Sequence, residues 1–154
     1  MVTIQVGDQL PYNDTTHVIP GTIEAGHYDY FQGGSGQNIS YFDSSIVNEG
    51  NFRTDEYVDA VSVNNEGATV GWITDGEWLE YTVDVQSTGC YDVSVRYASG
   101  NDNGGGPFYF EIDGTAVSPN VVLSSTGGWN NWNTKTTSID LEAGHHVLRL
   151  VASG

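Results

Sequence analysis

Two tryptophans, Trp129 and Trp132, stand in "TGGWNNWNT", a run of glycines, threonines and asparagines where a turn is expected. An indole among turn formers has no apolar run to bury it, so it either packs its own loop or offers a flat face to a ligand. The C–H face of a sugar stacks on such rings. The amides of Asn130, Asn131 and Asn133 supply the donors and acceptors that sugar hydroxyls need. This combination favours a carbohydrate over a phosphate or a metal ion.

Carboxylates are the second source of chemistry. Glu80 and Glu111 fall on the polar side of two strand-like segments, and glycoside hydrolysis needs two carboxyls about 5–5.5 Å or 6.5–9.5 Å apart. Charges on an outward strand face are ordinarily just solvated. The pair therefore defines an alternative reading, a small β-sandwich glycoside hydrolase or lyase. No other catalytic set is written into the chain: there is no Gly-x-Ser-x-Gly elbow, no Walker-type lysine after "NDNGGGP" and no His-Glu-x-x-His. His145 and His146 are adjacent, and neighbours in a strand point to opposite faces, so they suit a strand start better than a metal site.

The elements that must hold these residues read as strands. In "EWLEYTVDV", Leu79, Tyr81, Val83 and Val85 share one face, while Trp78, Glu80, Thr82 and Asp84 share the other. The same alternation sets Tyr91, Val93, Val95 and Tyr97 against Asp92, Ser94 and Arg96. It also sets Phe108, Phe110 and Ile112 against Tyr109, Glu111 and Asp113. Turn signals such as "TDGE", "STG", "IDGT" and "EAGH" separate these segments at sandwich-like intervals, and no helical periodicity competes with them. The expectation is an all-β domain, a jelly-roll sandwich of two antiparallel sheets, over residues 19–154. Residues 1–18 read as a lead-in or linker.

Composition narrows the partners. The chain has 154 residues with 4 basic against 20 acidic, net charge −16, a field that repels nucleic acid and anionic lipid. It has neither a run of about 18 apolar residues nor the basic start and apolar middle of a signal peptide. The single cysteine, Cys90, excludes an intrachain disulfide. A neutral ligand is left open.

In chain order, "IPGTIEAGHYD", "FRTDEYVD", "VGWITDGEWLEYTV", "GCYDVSVRYAS", "TGGWNNWNT" and "LEAGHHVLRLV" resemble the family 6 carbohydrate-binding modules, over about Ile19 to Val151. The resemblance implies a generally non-catalytic β-sandwich appended to a secreted polysaccharide-degrading enzyme. The "RTDEYVD" version and the acidity are most similar to modules of marine beta-agarases, which implies agarose. The family grips a sugar between two aromatic rings in loops at one end of the sandwich, with an asparagine near the C-terminus bonding to it. On the matching loops the first ring is Tyr57 and the second Trp129, with Trp132 next in line and Asn130 beside them. The chain stops at "LVASG", before the strand that carries the family's asparagine: either that last strand is missing from the sequence, or the sheet and the site close differently. A structural calcium is implied at Glu24; since the second matching position is Gly26, backbone oxygens would complete its shell. A second cleft, on the concave sheet face, maps to Trp78, Glu80, Tyr109 and Glu111. The expected function is that of a secreted module binding a neutral polysaccharide, its partner a catalytic domain in the same parent chain, without nucleic acid or membrane.

Overall fold

The computed structural model describes residues 7–154. Its strands are β1 (Gln9–Leu10), β2 (His17–Ile19), β3 (Tyr30–Phe31), β4 (Tyr41–Phe42), β5 (Ala60–Val63), β6 (Gly67–Val70), β7 (Trp78–Val85), β8 (Gly89–Ser99), β9 (Gly105–Ile112), β10 (Thr115–Ala116), β11 (Val121–Leu123), β12 (Gly128–Leu141) and β13 (Gly144–Ala152). One short 3-10 turn, Tyr12–Asp14, is the only helical element among the described residues. No helix among them is long and apolar enough to cross a membrane.

The period-2 alternation is what builds the larger sheet, ordered β10-β9-β13-β7-β2, with β11 also on β9 and β4 also on β7. Leu79, Tyr81, Val83 and Val85 point inward and are at most 6 % exposed. Across the sheet, Leu150 lies between Leu79 and Phe110, and Leu148 between Tyr81 and Ile112, so inward parity is continuous over three strands. The facing layer is the long antiparallel pair β8–β12 and the hairpin β5–β6. Ile139 and Leu141 of β12 close the core from that side, with Tyr28 and Val58 from the loops. Each fully buried Val, Leu or Phe contributes about 1.5–3 kcal/mol. The β-sandwich is as the strand patterns predict.

Two ends follow from the register. At one, Trp78 meets Val151 and Ser99 meets Gly128; at the other, Val85 meets Gly144 and Gly89 meets Leu141. β13 starts at Gly144, so His145 and His146 do open a strand, and His146 Nδ1 lies 2.7 Å from the Asp113 carboxylate.

The expected lead-in carries strands of its own. The boundary expected between residues 18 and 19 falls inside β2, which pairs in parallel with β7, and β1 pairs with β3. From residue 7 the segment is part of the sandwich, because the edge of β7 has backbone groups that need partners. Residues 1–6 of the expected lead-in lie outside the described residues.

Candidate functional site

A bulge in β12 exposes the first candidate. Gly128 pairs with Ser99 and Trp132 with Ala98, so β8 advances one residue while β12 advances four. Trp129, Asn130 and Asn131 are thereby extruded from the ladder. Trp129 is 64 % exposed. Its indole lies over Gly100, where a β-carbon would be 2.6 Å from the ring Nε1. The ring is thus braced by backbone while most of it stays in solvent. Asn130 and Asn131 are exposed beside it, whereas the Asn133 side-chain carbonyl is taken up by the Thr134 N–H at 2.8 Å. Trp132 has rejoined the ladder and is half-buried.

Tyr57 lies at the same end, near the start of β5, but its ring is already engaged. It is half-buried against the core and sits edge-on to Tyr41, centroids 6.5 Å apart at 85°. Its N–H donates to the Tyr41 hydroxyl at 3.1 Å, which itself donates to Glu56 at 2.7 Å. Burial first, and the Glu56 hydrogen bond second, push the Tyr41 phenol up to about 12.

Trp72 was passed over by the sequence reading. It is 63 % exposed and has φ +49°, the left-handed region that bulky residues rarely adopt. The loop it occupies leaves β6 at this same end, where the Gly71 N–H donates to the Asp59 carbonyl at 2.9 Å. Its signal was present in "VGWITDGE": an indole beside a glycine at a turn, the same kind of placement as in "TGGWNN". A neighbouring loop is tied to it through Glu77, which accepts from the backbone and hydroxyl of both Ser44 and Thr74 at 2.6–3.0 Å. Burial alone would raise the Glu77 carboxyl, but those donors outweigh it and hold the group below its ordinary value. Asp43 beside it has fewer donors, and burial with the charges of Glu77 and Asp59 pushes it up to about 6.

On the polar sheet face the structure brings Trp78, Glu80, Tyr109 and Glu111 together, around a residue not singled out in the sequence, Arg149. Glu80, Arg149 and Glu111 are direct cross-strand neighbours on β7, β13 and β9. The guanidinium is 3.0 Å from Glu80 and 3.8 Å from Glu111, and it covers the Trp78 ring at 4.0 Å. Tyr109 donates to Glu111 at 3.4 Å, and Gln9 to Glu80 at 3.2 Å. Both carboxylates are thereby engaged with the one guanidinium.

Glu24 is a lone carboxylate. Its Oε2 accepts the Ala68 N–H at 2.9 Å and lies 3.2 Å from His27 Nε2. Among the described residues no three His, Cys, Asp or Glu side chains come together to hold a metal. Calcium takes six to eight oxygens, so the side chains at Glu24 do not by themselves fit it.

The chain is similar to known proteins. A family model described as "Carbohydrate binding module (family 6)" matches residues 50–154. The chain is 38 % identical over 99 residues to an exo-beta-D-glucosaminidase of Amycolatopsis orientalis, covering 61 % of this chain and 10 % of that enzyme. It is 32 % identical over 94 residues to the beta-agarase AgaA of Microbulbifer thermotolerans, covering 59 % and 21 %. Among solved structures, a carbohydrate-binding module of Cellvibrio mixtus lichenase 5A, in complex with cellotriose, aligns with TM-score 0.52 and 33 % identity, covering 62 % of this chain and 76 % of that one. The chain thus spans a tenth to a fifth of these two enzymes.

Proposed function

We propose, from the premise that the chain belongs to family 6 of the carbohydrate-binding modules, that it holds a neutral polysaccharide on the exposed indoles at one end of the sandwich and keeps an attached catalytic domain at its substrate. The observation that carries this reading is Trp129: an indole extruded on a bulge, braced by Gly100 and 64 % exposed. Left in water that ring gains nothing, whereas stacking on a sugar's C–H face removes apolar surface from water on both partners. Trp72 is the second ring we assign, since it is as exposed as Trp129 while Tyr57 is held by packing. Asn130 and Asn131 stand ready for hydroxyls, and Trp132 braces the loop.

Affinity in so open a site is modest, because ordering the sugar offsets much of the stacking. Tethering to a catalytic domain compensates by raising effective concentration. The likeness to the beta-agarase supports agarose as the polysaccharide; the cellotriose bound by the lichenase module makes cello-oligosaccharides the comparison ligand. A secreted location belongs to the same proposal, since such polymers lie outside cells. The polar face supports a second cleft, where Trp78 and Arg149 are positioned by Glu80, Glu111 and Tyr109. Calcium at Glu24 is proposed only with backbone and water oxygens completing its shell, and a rise in thermal stability with calcium that Glu24→Gln abolishes is its test.

Affinity electrophoresis through agarose and through soluble β-glucan tests the main reading. The parent chain is retarded, and Trp129→Ala migrates freely with an unchanged unfolding temperature. Equal retardation of the variant overturns the site, and release of new reducing ends from either polymer overturns the non-catalytic role.

A further inference from the structure

A cleft of ≈ 510 Å³ is lined by none of the indoles at the loop end and by no residue of the polar-face cluster; it meets the loop end only at Glu56. Its volume is within the range of small-ligand sites. The pairing of β1 with β3 creates it by bringing the Tyr12–Asp14 turn beside Tyr30 and Phe31. Arg53 forms the floor: its guanidinium lies 3.7 Å over the Tyr28 ring and donates to the carbonyls of Gly26, Tyr28 and Asp29. Backbone strain concentrates here. Of the seven non-glycine residues with positive φ among the described residues, Asn13, Asp14 and Arg53 all line this cleft. Such strain persists where surrounding structure over-determines it, and it clusters at ligand sites.

The lining chemistry selects the ligand. Tyr30 and Phe31 offer half-buried ring surface. Among the described residues, exposed Asp55 makes no hydrogen bond or ion pair, and Asp14 is held in place by the Tyr30 hydroxyl through one oxygen while its other oxygen has no partner. Glu56, by contrast, is buried and taken up by Tyr41 and Gly36. The Arg53 donors are directed at carbonyls, and its charge is balanced by buried Glu56, whose Oε1 lies 3.9 Å from the guanidinium. Free carboxylates beside aromatic rings repel uronates and sulfated sugars. They attract a cation, which also gains from the ring faces.

We propose that this cleft is a separate saccharide site for an amino sugar, its ammonium held by Asp55 and Asp14 and its ring against Tyr30 and Phe31. Calorimetric titration of the full chain with a glucosamine tetramer and with its N-acetylated counterpart tests this. The parent chain binds the free amine and discriminates against the acetylated form. Asp55→Asn, at an exposed position whose loss cannot unfold the chain, weakens binding about fivefold, while Trp129→Ala leaves it unchanged. Absence of binding, equal affinity for the two tetramers, parent-like affinity in Asp55→Asn, or loss in Trp129→Ala each overturns the proposal. Because agarose retardation depends on Trp129 and this titration does not, the two sites fail independently.

Discussion

Trp129 lies across Gly100 so closely that a β-carbon on the glycine would sit 2.6 Å from the indole Nε1. No real side chain tolerates that contact, so the glycine sets where the ring rests. Gly100→Ala is expected to displace the indole and weaken polysaccharide binding about tenfold, or about 1.4 kcal/mol. Because the ring is exposed, stability should change by no more than about 0.5 kcal/mol. Calorimetry and thermal unfolding of the same variant check both halves.

Trp72 and Tyr57 are expected to part company under alanine substitution. Trp72→Ala removes an exposed ring and should lower affinity by about 1–3 kcal/mol, by analogy with base stacking, leaving the unfolding temperature nearly unchanged. Tyr57→Ala removes a half-buried ring packed on Tyr41 and should cost about 1–3 kcal/mol of stability. Denaturant unfolding and binding isotherms on the two variants separate a stacking ring from a packing ring.

Asp43 should make the fold more stable when mildly acidified. Its folded pKa is about 6 against an ordinary 3.8, raised by burial and by Glu77 and Asp59. Between those values the folded state holds a proton that the unfolded chain has lost, so stability falls as pH rises through that window, and the full cost is present above about 6. Asp43→Asn keeps an acceptor for the Ser45 N–H, now 2.8 Å from the carboxylate. It should raise the unfolding temperature at pH 7.5, by about 2–4 °C for each kcal/mol relieved, and the advantage should vanish toward pH 4. A constant advantage across that range would show that charge is not the cause.

Removing Arg149 should be costly because of what it leaves behind. Glu80 is 9 % exposed, and Arg149→Met strands its carboxylate without the guanidinium at 3.0 Å. The expected loss is about 3–5 kcal/mol. Adding Glu80→Gln in that background should recover much of it, which chemical denaturation of the single and double variants measures.

What the sequence determined by itself is the strand parity and the exposure of one ring. Alternation in "EWLEYTVDV" and its partners needs only the two-residue period of a strand, a local property, and every residue it turns inward except Tyr97 lies in the core or against it. Gly-rich flanks likewise leave Trp129 no apolar run to join. Tertiary structure alone decided the rest. Whether Tyr57 or Trp72 has a free face depends on Tyr41, 16 residues before Tyr57, and on a left-handed backbone at Trp72. Arg149 falls between Glu80 and Glu111 only through the register of three strands, and the amino-sugar cleft exists only because β1 lies on β3. These are contacts between residues distant in sequence, set by which strands pair and in what register, and a period along one strand carries no information about its neighbour.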